Sequence, residues 1–207
     1  MPTYTSQPDD TTGYDAYIED ISPTSNFNNS SFIVGERASF TEKQRGLIKF
    51  DLSSIPAGAI IVSATLSLFI TADRSNNART YKAFRLLRNW GETTVTWNKY
   101  DGTNNWGTAG ATNATDIDTT EMASCSYTSS ESAGTEKQYL FTVSEFQKFI
   151  TGAYTNYGWL IKADTETDDS YEHGSSSHAT SGYRPKLVVE YNLPAGEPVS
   201  VTPYIMV

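Results

Sequence analysis

Cysteine is almost absent. Cys125 stands alone among 207 residues, which excludes an intramolecular disulfide framework and every metal site built on several thiolates. Basic residues are outnumbered: 15 Lys and Arg face 24 Asp and Glu, for a formal charge of −9. That balance argues against binding DNA, RNA or an anionic membrane surface through a basic field, so no nucleic-acid partner is expected. No apolar run approaches the ~20 residues that a membrane span needs, and no membrane insertion is expected. The N-terminal residues Met1-Pro2-Thr3-Tyr4-Thr5-Ser6-Gln7 lack the basic and apolar regions of a secretory signal, so the expectation is a chain with no signal peptide. Charged residues of both signs make up only 19% of the chain.

What is abundant instead is serine (23), threonine (27) and aromatic side chains (13%). Such a composition suits solvated strand faces and polar turns better than charged helices, and it predicts an all-β protein. The length fits one domain, or one with a short appendage.

Short β-branched or aromatic segments bounded by Gly, Pro, Asn, Asp or Ser read as strands. They are Ala16-Tyr17-Ile18, Phe32-Ile33-Val34, Gly46 to Phe50, Tyr81 to Leu86, Val95-Thr96-Trp97, Gln138 to Phe141, Trp159 to Lys162 and Leu187 to Tyr191. The longest runs from Ile60 to Thr71, with Val62, Ala64, Leu66, Leu68 and Ile70 on one parity and Ile61, Ser63, Thr65, Ser67 and Phe69 on the other. That alternation predicts a strand with one face wet. About nine strands result, enough for two packed antiparallel sheets. One helix of about two turns is predicted where Thr142 and Glu145 fit a capping box, Phe146, Phe149 and Ile150 share a helical face, and Gly152 sits at the C-terminal cap. The long polar connection between Trp97 and Lys137 is the first place to look for a binding surface. A second polar loop, Asp164 to Gly182, carries both histidines.

Four segments in order carry a family resemblance. Arg45-Gly46-Leu47-Ile48-Lys49-Phe50-Asp51-Leu52-Ser53-Ser54-Ile55-Pro56-Ala57-Gly58-Ala59, continuing to Phe69, resembles the signature of the DNRLRE or disaggregatase-related domain. Asn89-Trp90-Gly91-Glu92-Thr93-Thr94-Val95-Thr96-Trp97-Asn98 resembles the family's Trp-x-Glu-x-x-Val-Thr-Trp-Asn segment. Asn156 to Ile161 and Tyr183 to Tyr191 resemble its Asn-x-Gly-Trp and closing Arg-Pro-x-Leu-x-Val-x-Tyr strands, and the likeness spans roughly residues 8 to 192. The resemblance implies an antiparallel jelly-roll-like β-sandwich over residues 1–192, with one short helix and no catalytic machinery. It also implies the company of secreted or cell-surface polysaccharide-active proteins, with relatives classed as carbohydrate-binding modules for acidic polysaccharides. Similar sequences stand alone in phage genomes, where release by lysis needs no signal.

Candidate chemistry follows from residue types. Asp51 and Glu92 are acids within the family-like motifs and are expected to close turns or hold backbone amides rather than act as a glycosidase pair. No nucleophile-elbow motif accompanies His173 or His178, which are expected in an exposed loop, and the chain is not expected to be an enzyme. No cofactor is called for, but Asp164, Glu166, Asp168 and Asp169 concentrate oxygen ligands that calcium can use. A flat aromatic ring flanked by amides and carboxylates is the usual answer to the apolar face of a sugar. Trp106 and Tyr100, with Asp101, Asn104 and Asn105, meet that description, whereas Trp90, Trp97 and Trp159 are expected in the core. Arg45 and Arg184 are expected in structural ion pairs. An acidic polymer needs a basic cluster, and only Arg74, Arg79, Lys82, Arg85 and Arg88 approach one.

Residues 193–207 form a proline-containing tail whose apolar end, Pro203, Tyr204, Ile205, Met206 and Val207, is a candidate docking segment for a protein assembly partner or a second copy. The expected function is therefore a non-catalytic structural and adhesive module on a larger assembly, such as a phage virion decoration or fibre protein. The alternative is a carbohydrate-binding module of a secreted polysaccharide-active system. Either places the chain on a virion or at the extracellular cell surface, with polysaccharide as a partner.

Overall fold

A computed structural model describes residues 1–37, 41–75 and 77–193. The described residues form eleven strands: β1 Thr3–Ser6, β2 Asp15–Glu19, β3 Ser31–Arg37, β4 Glu42–Ile48, β5 Ile60–Ser75, β6 Arg79–Leu86, β7 Ile117–Tyr127, β8 Glu136–Leu140, β9 Trp159–Ala163, β10 Asp169–Gly174 and β11 Lys186–Asn192. One helix, α1 Val143–Ile150, lies between β8 and β9. All the ladders are antiparallel. They join into one curled sheet in the order β1-β11-β5-β10-β3-β4-β9-β6-β7, with β8 added on the free side of β5 and β2 on the free side of β4. The all-β, antiparallel expectation holds. Among the described residues no helix is long and apolar enough to cross a membrane.

The curl brings β5, β8 and β11 opposite β4, β6 and β9, and the main core lies between them. It gathers Leu66, Leu68 and Ile70 from β5, Tyr139 from β8, Leu187 and Val189 from β11, Tyr81 and Ala83 from β6, and Trp159 and Ile161 from β9. The helix closes one end, with Phe146 and Phe149 packed around Trp159 and Phe141. Its C-terminus is as expected, since Gly152 takes the left-handed φ of +77° that a helix-ending residue needs. The capping box does not form. Thr142 makes no side-chain cap, and Glu145 turns instead to Lys148 Nζ at 2.8 Å and the Tyr154 hydroxyl at 2.7 Å.

Four local expectations are corrected. In β5 the parity does not run unbroken. Glu190 pairs with Ser63 and Tyr191 with Ile61, so Val62 is the extra residue of a β-bulge. Ile61 thereby turns into the core while Val62 and Ile60 face solvent. Val95-Thr96-Trp97 is not a strand, because the Gly91 carbonyl accepts from both Thr94 N and Val95 N and folds the segment into a turn. The connection between Trp97 and Lys137 contains a strand, β7, paired along β6. The polar loop from Asp164 contains β10, which bridges β5 and β3 and links the two sides of the sheet.

That last strand moves His173 from an exposed loop to the centre of the molecule. Its ring is fully buried, with Nδ1 donating to the Phe32 carbonyl at 3.2 Å and Nε2 accepting from the Tyr127 hydroxyl at 3.0 Å. Tyr139 completes the chain by a 3.0 Å hydroxyl contact with Tyr127. Burial lowers the His173 pKa to about 4, so the ring serves as a neutral core link. His178 stays outside the core but is half-buried against the Tyr183 ring, and Thr180 N donates to its Nδ1.

The candidate docking residues Pro203, Tyr204, Ile205, Met206 and Val207 lie outside the described residues. Leu193, where the tail begins, is partly buried against the main core.

Candidate functional site

The strands β4 and β9 carry adjacent apolar pairs, Leu47-Ile48 and Leu160-Ile161, so both of their faces must be covered. Ile48 and Ile161 face the main core, while Leu47 and Leu160 face outward into a second one. Residues 87–116 form the cover. They bring Trp90, Val95, Trp97, Trp106 and Ala111 down onto Leu47, Leu160, Ala16 and Ile18. The segment has almost no regular structure of its own, so its backbone and indole groups need specific partners. Trp90 Nε1 donates to the Tyr157 carbonyl at 2.8 Å, and Trp106 Nε1 donates to the Thr96 carbonyl at 3.0 Å. The Asn26 amide donates to both Glu92 O and Val95 O at 2.8 Å. Asp116, fully buried, accepts from Gly107 N at 2.8 Å and Thr108 N at 3.1 Å.

Arg45 anchors this cover from β4. Its Nε and Nη2 each meet a Glu166 carboxylate oxygen at 2.7 Å, its Nη1 donates to the Gly110 carbonyl, and its guanidinium lies 4.5 Å from the Trp97 ring. Gly110 must be glycine here. Its φ is +83°, and a Cβ would stand 2.2 Å from Arg45 Nη1 and 2.6 Å from the Trp97 ring. The expected ion pair of Arg45 is thus present, whereas Arg184 holds the His178 carbonyl at 2.9 Å. Asp51 closes a turn by accepting from Ser53 N, and Glu92 holds a distant backbone amide, accepting from Asp15 N at 3.0 Å. Burial holds the Glu92 carboxyl above its ordinary pKa.

Between this cover and the 23–28 loop opens a cleft of about 620 Å³. Thr24, Asn26, Thr93, Thr94, Thr96, Asn98, Lys99, Gly102, Asn105, Trp106 and Ala109 line it. Two of the sequence-predicted residues, Asn105 and Trp106, are there. The role expected of Trp106 is corrected. Its side chain is not an exposed platform but is 5% exposed, locked into the second core by its indole hydrogen bond and by Tyr100 at a ring distance of 5.5 Å. Asp101 and Asn104 bind one another rather than facing the cleft: Asp101 accepts from Thr103 N, Asn104 N and Asn104 Nδ2 in a tight turn. Tyr100 is half-buried on the second core. Thr24 and Asn26 join Thr93, Asn98 and Lys99 in the lining only through the fold, because their loop lies some 70 residues upstream.

The calcium candidates do not converge. Glu166 is held by Arg45, and Asp169 is fully buried, accepting from Glu36 N at 2.7 Å. Burial pushes the Asp169 pKa up to about 6. Among the described residues no group of three or more His, Cys, Asp or Glu side chains is placed to hold a metal ion.

Compared with known families, residues 15–189 match the disaggregatase-related repeat domain. The chain belongs to that family. The match runs from the start of β2 to within β11 and so takes in both cores and the 87–116 cover. No curated protein matches the chain.

Proposed function

We propose that this disaggregatase-related module is non-catalytic and adhesive: it holds a polysaccharide in the cleft between the 23–28 loop and the 87–116 cover, as part of a larger assembly at a virion or cell surface. The observation that carries the reading is the chemistry of the lining. Five threonine and asparagine side chains with both donor and acceptor capacity, Thr24, Thr93, Thr94, Asn98 and Asn105, surround a mouth of the size that takes small ligands. Sugar hydroxyls donate and accept in the same way. No lining residue is an acid, so the cleft offers no carboxylate pair for glycoside hydrolysis.

An assembly role draws support from a separate observation. Ile60, Val62, Leu140 and Val143 are exposed where β8 passes into α1 beside the start of β5, the edge from which the tail departs after Asn192, the partner of Ile60. Light scattering on the full chain, with and without residues 194–207, tests it. A large particle that dissociates on truncation supports assembly, and a monomer in both forms contradicts it. For the cleft, retention on immobilised polysaccharides is the test, with loss expected in Asn98→Ala/Asn105→Ala. Retention on none contradicts the reading.

A further inference from the structure

We infer that the cleft takes an uncharged glycan and not a uronate or sulfated polymer, an inference that rests on the reading of the cleft as a polysaccharide site. A carboxylate or sulfate only accepts hydrogen bonds and is held by charge-assisted donors, above all by arginine forks. The molecule keeps those donors for itself. Of the basic run, Arg74 meets Glu172 at 2.5 Å, Arg79 meets Asp169 at 3.7 Å, Lys82 meets Glu121 at 3.1 Å, Arg85 meets Asp118 at 2.8 Å and Arg88 meets Asp116 at 3.5 Å. Arg45, which anchors the cover from β4, is taken by Glu166 and the Gly110 carbonyl.

Only Lys99 brings a positive charge to the lining, and its Nζ donates to the Gly102 carbonyl at 3.2 Å. Residues 87–116 as a whole carry two bases, Arg88 and Lys99, against three acids, Glu92, Asp101 and Asp116. With −9 on the whole chain, the field around the cleft opposes a polyanion. Apart from Lys99, what faces the ligand is neutral. Asn98 and Asn105 hold the fold through their backbones, Asn98 with Pro23 and Trp106, and Asn105 with Lys99, leaving their side-chain amides to the cleft.

The test is affinity electrophoresis and calorimetry of the full chain against soluble neutral polymers (a glucan, a galactomannan, a xylan) and acidic ones (alginate, polygalacturonate, chondroitin sulfate), each at low and high salt. The inference expects retention on a neutral polymer that salt leaves unchanged. It expects Asn98→Ala/Asn105→Ala to weaken that retention about tenfold, the size of two lost hydrogen bonds, while thermal melts show the variant folded. Retention confined to acidic polymers, falling with salt and in Lys99→Gln, overturns the inference and leaves the polysaccharide reading standing. Retention on a neutral polymer untouched by the double substitution puts the ligand elsewhere and overturns it too. Binding to none of the six overturns both.

Discussion

Replacing Trp106 by alanine separates two accounts of the residue most visible in the sequence. If its indole were an exposed sugar platform, truncation would abolish binding and leave stability almost unchanged, as for an ordinary surface substitution. The structure places it in the second core, 5% exposed, with its N–H satisfied by Thr96. Truncation there removes a large buried ring, leaves a cavity against Tyr100 and the Thr96 carbonyl without its donor, and costs ~3–5 kcal/mol. Against a total of ~5–15 kcal/mol, and at ~2–4 °C per kcal/mol for a chain of this size, the melting temperature falls by about 6–20 °C. Urea unfolding and calorimetry on Trp106→Ala, with the exposed Asn105→Ala as a control expected within ~0.5 kcal/mol, give the comparison. A loss below ~1 kcal/mol in Trp106→Ala together with lost binding would refute the placement of this ring.

Three further outcomes follow from the same geometry. Arg45→Ala removes a buried guanidinium and leaves the half-buried Glu166 without its partner, and it is expected to destabilise by ~3–5 kcal/mol, measured by urea unfolding; a loss under ~1 kcal/mol would mean that the pair is solvated. Gly110→Ala forces a Cβ onto Arg45 and Trp97 at a positive φ, so a loss above ~1 kcal/mol in the same assay is expected. His173 has a folded pKa of about 4 against an unfolded value of 6.5, so the unfolded chain binds more protons between those values. Its contribution of about 3 kcal/mol is full above pH 6.5 and lost as pH falls to 4. Asp15 and Asp169, raised to about 6 by burial, act in the opposite direction over the same window. The histidine is therefore isolated by comparing wild type with His173→Phe, whose stability gap should widen from pH 4 to 6.5; a flat gap would contradict the buried placement.

Much of the fold was legible because its strands alternate or run apolar. Ala16–Ile18, Phe32–Val34, Tyr81–Leu86 and Leu187–Tyr191 all fall within strands, and the helix face of Phe146, Phe149 and Ile150 is buried. β10 was not legible, because its sequence Asp-Ser-Tyr-Glu-His-Gly buries polar groups whose partners come from far along the chain. Ser170 donates to Gln44, Asp169 accepts from Glu36 N, and His173 links Phe32 to Tyr127. β7 was hidden by register shifts opposite Ala83, Phe84 and Leu86, which break any period of two. The second core did leave a signal. The unbroken apolar pairs in β4 and β9 mark strands covered on both faces, and the four tryptophans have one location in common: each is buried, three of them in or beneath the 87–116 cover. The cleft itself was only half legible, since Thr24 and Asn26 meet Asn98 and Asn105 solely through the fold.

The most direct test of the central claim is to map the backbone amides that shift when a neutral oligosaccharide, taken from a polymer that retains the protein, is titrated into the isotope-labelled chain. The account predicts shifts concentrated at Thr24, Thr93, Asn98, Lys99 and Asn105, with the outer face of β5 and β8, at Thr65 and Gln138, unmoved. Shifts centred on that outer face, or none at all, would contradict it.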